Sequence, residues 1–329
     1  MEKEKNLDCG VMCISLDTEF FWGVHDTSTL ESYKDNIYGG KHTVISGLLD
    51  IFNQYGIHAT WAVVGAIMAR DKEQLENYLP KEENRPKYSN SIRSPYHLLG
   101  MLGTNHEVDD LFFGQDIVRL IQNSEYQEIG THTFSHYYCC EEGQTPEEFS
   151  ADIDSAIKLA KNLDIQLQSI VFPKNEMSEQ HIAVCCDKGL KTYRGEEMNW
   201  IYSLKIEAIC RGLRFLDSYS NLSGSNTHIP FLQNGMCNIT GSSFLRPYCT
   251  KLAFFESLKI RRIKKQMLVA AKKKRVFHLW FHPHNFGENF EKNMENLREI
   301  LDYYMVLNQK YNFRSLNMSE ITSKLFAIK

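Results

Sequence analysis

The chain has 329 residues, and 37 Lys+Arg against 41 Asp+Glu give a formal net charge of −4. Hydrophobic residues at 43% and charged residues at 24% fit an ordinary globular protein with a large core, and the acidic balance argues against a general nucleic-acid binder. Nine cysteines, odd in number and without a CxxC spacing, argue against cysteine-ligated zinc and for a reduced compartment. No apolar run is long enough for a signal-peptide core or a membrane span, so a cytoplasmic location is expected. At about 150 residues per domain the length allows two domains, or one enlarged α/β barrel.

Taken in chain order, residues 11–16 form a short apolar run that reads as a buried strand ending in the polar turn Asp17-Thr18-Glu19. Residues 42–55 carry Val44, Ile45, Leu48, Leu49 and Phe52 at helical spacing, and Gly56 stops them. Strands follow at 59–64 and 128–129, with a helix from 117 between them and His132 at the end of the second. Thr145-Pro146-Glu147-Glu148 predicts a capping box opening a helix over 149–163. Further strands are expected at 169–172, 191–193 and 276–281, with helices at 182–188 and 293–307. Such alternation predicts an α/β fold with a mainly parallel sheet, open or closed into a barrel. Two stretches interrupt it: 81–110, polar and proline-containing, reads as an insertion near the working face, and 218–248 as a long loop or small hairpin.

Ionisable residues gather just after the apolar strands, where α/β folds place their sites. In Ser15-Leu16-Asp17-Thr18-Glu19 two carboxylates share a side if the strand persists, so one can bind a metal while the other takes a proton; alternatively both are solvated at a turn. In Gly130-Thr131-His132-Thr133-Phe134-Ser135-His136 two imidazoles four residues apart can converge on one ion from a helical turn. In His278-Leu279-Trp280-Phe281-His282-Pro283-His284 a histidine after a late strand suits a general acid, and the residues leave His282 and His284 both open.

Together these segments resemble the polysaccharide deacetylase family, the NodB-homology group of carbohydrate esterase family 4. Asp17-Thr18-Glu19 is similar to its first motif in an Asp-x-acid form, and His132 and His136 to its HxxxH motif. Residues 56–65 are similar to its second strand, and Phe281-His282-Pro283 falls where the family keeps its last histidine. Phe172-Pro173-Lys174-Asn175 followed by Tyr193-Arg194-Gly195 resembles a subgroup tied to surface-polysaccharide synthesis. The resemblance implies a distorted (β/α) barrel of the NodB type, one domain over residues 1–329 with loop insertions near 81–110 and 218–248. It implies metal-assisted hydrolysis of an N-acetyl group on a sugar, glycan or carrier-linked precursor. Glu19, His132 and His136 would hold the metal, zinc first, with cobalt, nickel or manganese as alternatives. Asp17 would be the base and His282 the proton donor. Lys174 stands where an arginine is usual, keeping the charge that would orient Asp17 without the bidentate fork. Asn199 stands where the family has a carboxylate that tunes the last histidine. Trp22, Pro173, Asn175, Arg194, Trp200 and Trp280 are the candidate substrate contacts.

Residues 259–275 combine a basic face with an apolar stripe of Leu258, Ile260, Ile263, Met267, Ala270 and Ala271. This reads as a solvated cationic helix face, or as a peripheral contact with anionic membrane or pyrophosphate-linked sugar. Two other functions share the fold: a non-catalytic glycan-binding protein, and a hydrolase of a non-sugar amide.

Overall fold

In the computed structural model, which describes residues 7–197, 199–201 and 206–326, strand β1 (Val11–Thr18) is buried along its whole length. Residues 1–6 and Met198 of the Glu196–Trp200 motif lie outside the described residues. β1 runs two residues further than its apolar stretch, so Asp17 and Thr18 belong to the strand rather than to a turn. It pairs in parallel with β2 (Ala59–Val63) on one side and with β9 (Val276–Phe281) on the other. From β2 the parallel order continues through β3 (Gln127–Thr131), β4 (Ser169–Val171) and β5 (Thr192–Arg194). A two-residue strand, β10 (Arg314–Ser315), adds to the start of β1.

The other end of the sheet is a hairpin and a jump. β6 (Phe231–Gln233) and β7 (Met236–Asn238) are antiparallel, joined by Asn234 and Gly235 at φ 48° and 80°. Two consecutive positive φ values are what a two-residue hairpin turn demands, and Asn-Gly supplies them cheaply. β7 pairs with β5, and a few residues later β8 (Ser243–Phe244) pairs with β9. Ile239 N donates to the Tyr193 carbonyl (2.9 Å) and Gly241 N to that of Gly195 (3.1 Å). Ser242 N then donates to the His278 carbonyl and Leu245 N to that of Trp280, each at 2.9 Å. One stretch of chain thus bonds first to β5 and then to β9, curling the sheet into a distorted barrel of the NodB type.

Along β1 alternate residues change character. Met12, Ile14 and Leu16 pack outward against the helices, in the large hydrophobic cluster. Val11 and Cys13 face a smaller inner cluster with Ala62, Val171, Cys237 and Val276, sealed by the helix Met318–Leu325. The same inner face continues as Ser15 and Asp17, so the interior runs from apolar at one end to charged at the other. All nine cysteines are free thiols. Among the described residues, no helix is long and apolar enough to cross a membrane.

The capping box at Thr145 forms as its sequence predicts: its hydroxyl accepts from Glu148 N, and Thr145 N donates to the Glu148 carboxylate (2.9 Å). A helix at Leu30–Gly39 precedes the one expected from residue 42, and a π-helical turn, Gly40–Val44, joins it to Ile45–Tyr55. Gly40 is required there, since a Cβ would stand 2.7 Å from His284 Cα. Residues 81–110 form short helical turns that dock on the loop after His136; Tyr88 hydroxyl accepts from Tyr138 N at 2.8 Å.

The basic helix, Glu256–Lys273, is not uniformly solvated. Lys259 turns inward to Glu256 (2.6 Å), and Arg262 to Asp217 and to Ser243 (2.8 Å). Both are buried because the helix packs its apolar stripe, Ile260, Ile263 and Met267, against the barrel and carries its neighbours in with it. Leu258, expected in that stripe, is 38% exposed.

His181, buried edge-on against Phe149, shows what burial does to a titratable group here. Desolvation brings its pKa down to about 4. Above pH ~6.5 it is neutral folded and unfolded; between ~6.5 and ~4 only the unfolded chain takes the proton, so stability is lost as pH falls. Urea unfolding at pH 7.5 and 4.5 should show this loss, and His181→Gln should remove about 2–3 kcal/mol of it. An unchanged difference in the variant would contradict the assignment.

Candidate active site

The strand ends of β1, β3, β4, β5 and β9 meet at one mouth, and the polar half of β1 points into it. Asp17 and Arg194 form a buried bidentate pair: Nη1 donates to Oδ1 and Nη2 to Oδ2, both at 2.7 Å. Arg194 is anchored on its remaining donors by Ser15 Oγ (2.9 Å) and Asn175 Oδ1 (3.0 and 2.8 Å). Ser15 in turn gives its proton to His278 Nε2 (2.9 Å), whose Nδ1–H donates to the Ile239 carbonyl (3.0 Å). Burial drives the His278 pKa down to about 3, so this chain is held by a neutral imidazole. For Asp17, burial pulls the carboxyl up, but Arg194, His132 and His282 outweigh it and hold it below the ordinary value.

Glu19 stands just beyond. A Cβ at Gly23 would fall 2.0 Å from its Oε2, so the glycine opens the space that the carboxylate occupies. Its Oε1 lies 3.3 Å from His132 Nε2, 3.7 Å from His136 Nε2 and 3.0 Å from His282 Nε2. These imidazoles outweigh the burial that pulls Glu19 up, and its pKa is well below the usual carboxylate range.

The two histidines of the HxxxH segment converge from an irregular turn rather than a helical one. Thr133 and His136 sit at φ 63° and 60°, and Asp152 holds the turn by accepting from Phe134 N (2.6 Å) and Ser135 N (3.1 Å). His132 Nδ1 contacts the Val171 carbonyl at 2.7 Å. A carbonyl only accepts, so Nδ1 carries the proton and Nε2 presents a lone pair. That atom is buried with no hydrogen-bond partner among the described residues. A ligand histidine fixed through its other nitrogen has this arrangement. Glu19, His132 and His136 bring one ligand atom each within 4.8 Å of one another, as do Asp17, Glu19 and His282. The donor set, two imidazoles and a carboxylate, fits a divalent metal.

His282 occupies the open side of the mouth, 3.7 Å from Asp17 Oδ2. Burial lowers its pKa, but Glu19 and Asp17 outweigh that and leave it above the ordinary imidazole value. His284 is buried behind it and burial takes its pKa down to about 4. The geometry therefore favours His282 over His284 as the donor.

Several expected contacts lie elsewhere. Lys174 does not reach Asp17: its turn, with φ 58°, sends the side chain out to Asp26 (3.9 Å) and over the Tyr138 ring (3.9 Å). The arginine that orients Asp17 is Arg194, read from sequence as a substrate contact and in fact buried beneath the Asp17 carboxylate. Asn175 likewise serves Arg194, and Pro173 is buried in the same turn. Trp22 is a core residue whose Nε1 donates to the Phe112 carbonyl (2.9 Å). Trp200 is half-exposed and bonded to the Leu222 carbonyl, away from the residues lining the cleft. Trp280 does line the cleft, with Arg194 4.4 Å from its ring. Asn199 reaches Glu197 at 3.3 Å, and His282 Nδ1 has no partner among the described residues. The cleft, about 370 Å³, is also walled by Tyr33, Tyr138 and Glu196. Ser15, His278 and Asp152 were not singled out from sequence; the polar alternates on otherwise apolar strands were the signal for the first two.

A barrel whose strand ends join an arginine-held aspartate to a carboxylate and three histidines defines a deacetylase-type hydrolase. Residues 35–193 match the family model described as polysaccharide deacetylase, a span that includes His132 and His136 but neither Glu19 nor His282. That match spans a little under half of the chain. Its fold is similar to that of a putative polysaccharide deacetylase from Mycobacterium smegmatis, at TM-score 0.61 and 10% identity, covering 99% of this chain and 92% of that one. A probable polysaccharide deacetylase from Pseudomonas aeruginosa PAO1 gives 0.55 and 9%, covering 96% and 91%. A GH57-type branching enzyme from Pyrococcus horikoshii gives 0.52 and 12%, covering 96% and 70%. No curated protein matches the sequence.

Proposed function

We propose that this protein is a divalent-metal-dependent deacetylase that hydrolyses the N-acetyl group of a sugar in a glycan or carrier-linked precursor. The observation that carries the reading is the convergence of Glu19, His132 and His136, with the His132 Nε2 lone pair buried and unpartnered. When bound there, zinc or a similar ion would supply Lewis-acid polarisation of the acetyl carbonyl and acidify a water. Asp17 takes the proton from the attacking water. Its Oδ2 keeps a second lone pair beyond the one used by Arg194 and faces the open side of the mouth. Arg194 fixes the carboxylate plane, so the base is aimed before substrate arrives. His282, held protonated by the two carboxylates, delivers its proton to the departing amine nitrogen, giving free amino sugar and acetate. Trp280 at the rim offers an apolar face for the sugar ring.

The test is acetate release from N-acetylated oligosaccharides and sugar phosphates by protein loaded with Zn²⁺ or Co²⁺. Turnover is expected, and Asp17→Asn should lower kcat by about 10²–10⁴-fold, the range for a positioned general base. Metal-saturated protein that releases no acetate from any of these, while binding them, is a glycan-binding protein instead.

A further inference from the structure

The helix Glu207–Ser220 is inside out. Its buried side carries Asp217 and Ser218, and Arg262 of the helix Glu256–Lys273 pairs with Asp217 there. Its outer side is apolar. Ile209 and Leu216, two turns apart, are 51% and 54% exposed, and Ile206 just before the helix is exposed as well. Positions 206, 209, 213 and 216, all Ile or Leu, follow the three-and-four spacing of one helical face. A surface helix ordinarily turns such a stripe to the core, so this one is left for a partner to cover.

The patch continues onto the neighbouring helix. Phe215, Tyr219 and Phe255 form an edge-to-face ladder with ring centroids 5.4 and 6.1 Å apart. Phe254 beside it is 94% exposed, and Leu258, one turn on, is exposed too. A phenyl ring standing in water gains nothing from the fold that holds it there. Nine of the sixteen large hydrophobic side chains exposed among the described residues lie between Trp200 and Leu258, so this is a concentration rather than scatter.

Charge chooses the partner. Residues 200–275 hold 14 Lys and Arg against three Asp and Glu, in a chain whose net charge is −4. Some of these cations are matched within the protein: Lys259 by Glu256, Arg262 by Asp217 and Lys264 by Glu299. Arg261, Lys265 and Lys272 are different, being exposed and outside every ion pair among the described residues. They follow Leu258 along one face of the helix Glu256–Lys273, which therefore has an apolar end and a cationic flank. A second copy docked by twofold symmetry would set these cations against their like. A nucleic acid would meet the cations and leave Ile206, Ile209 and Leu216 in water. An anionic lipid surface suits both: the apolar groups enter the acyl boundary while the cations meet headgroup phosphates.

We propose that the outer face of the helix Glu207–Ser220, with Phe254, Phe255 and Leu258, docks on an anionic lipid surface to which Arg261, Lys265 and Lys272 attract it. The stripe of Ile260, Ile263 and Met267 takes no part, since it is buried against the barrel. Arg214, on the same Glu207–Ser220 helix, walls the cleft, so docking sets the cleft beside the headgroups with one helix between. A sugar linked to a membrane lipid would be presented there. That last consequence rests on the deacetylase reading; the docking does not.

The test is cosedimentation of the full chain with vesicles of phosphatidylcholine and phosphatidylglycerol, seven to three, against phosphatidylcholine alone. Binding to the mixed vesicles is expected, about tenfold or more tighter than to the neutral ones and weaker as salt rises. Phe254→Ser/Leu216→Ser should weaken it about tenfold through lost apolar insertion. Lys265→Gln/Lys272→Gln should weaken it about tenfold through lost charge. All four positions are exposed, so both variants should keep the wild-type circular dichroism and melting temperature. A second measurement needs no loss of binding. Phe254→Trp should add fluorescence that acyl-chain-brominated phosphatidylcholine quenches in the mixed vesicles. Tyr126→Trp, at the opposite end of the barrel where β3 begins, should not.

No cosedimentation with the mixed vesicles at low ionic strength overturns the proposal, as does binding that both double variants retain. Loss in the lysine variant alone, with the Phe254→Trp fluorescence unquenched, marks a general polyanion face and also overturns it. A wild-type dimer in sedimentation velocity that Phe254→Ser/Leu216→Ser converts to monomer gives the face to a second copy, against the proposal. Vesicle binding as expected, without acetate release from any N-acetylated substrate, supports the docking and removes only the placement of the sugar.

Discussion

Arg194→Lys should lower kcat by about 10²–10³-fold while leaving the barrel folded, because a lysine keeps the charge and loses the fork. In the wild type two parallel bonds of 2.7 Å fix both oxygens of Asp17, and Arg194 itself is fixed by Ser15 and Asn175. An ammonium is a point donor that leaves the carboxylate plane free to rotate. Arg194→Met goes further, leaving the Asp17 charge buried without its partner at a cost of about 3–5 kcal/mol. The checks are acetate-release kinetics for the lysine variant and urea unfolding for both. A lysine variant of wild-type kcat would show that orientation of Asp17 is not what Arg194 contributes.

The second large effect belongs to His132. His132→Ala should abolish retention of a divalent ion after dialysis and lower kcat by more than about 10³-fold. The wild type should gain about 2.7 kcal/mol of stability at a metal concentration of 100 Kd, and the variant none. Elemental analysis and metal-dependent melting report this without reference to catalysis. Retained metal of full stoichiometry in a His132→Ala/His136→Ala protein would dismiss Glu19, His132 and His136 as the ligand set. Loss of the ion in His132→Ala alone, with Glu19→Gln behaving alike, would support all three acting together.

Much of this was legible because local signals and fold agreed. The capping box at Thr145, the buried strand that opens at Val11 and the glycine stop at Gly56 each depend on a few neighbouring residues, and each forms. The site was legible as a set of motifs, yet the partner of Asp17 was not. Lys174 and Arg194 are both cations at strand ends, and the φ 58° turn that throws Lys174 outward decides between them. The turn is accompanied by a buried Pro173 and by the bonds that Arg194 donates to Asn175 Oδ1, a contact between residues nineteen positions apart in sequence. Trp22 and Trp200 failed for a related reason: adjacency to a motif in sequence says nothing about which face a ring turns to. The helix Glu207–Ser220 went unread, although Arg211, Arg214, Phe215 and Ser218 have the spacing of a single helical face.

The strand that is shared between β5 and β9 has a bearing on how such a site can drift. β5 carries Arg194, which holds the proposed base Asp17, and β9 leads into His282, the proposed proton donor. Residues 236–244 bond to one and then to the other, so the width of the mouth between acid and base is measured out in backbone rather than left to side-chain packing. A side-chain change along this stretch can alter the rim, but a gain or loss of one residue resets the gauge and moves the two halves of the proposed catalytic pair apart. Substrate range can therefore wander by substitution in 236–244 while its length stays under constraint.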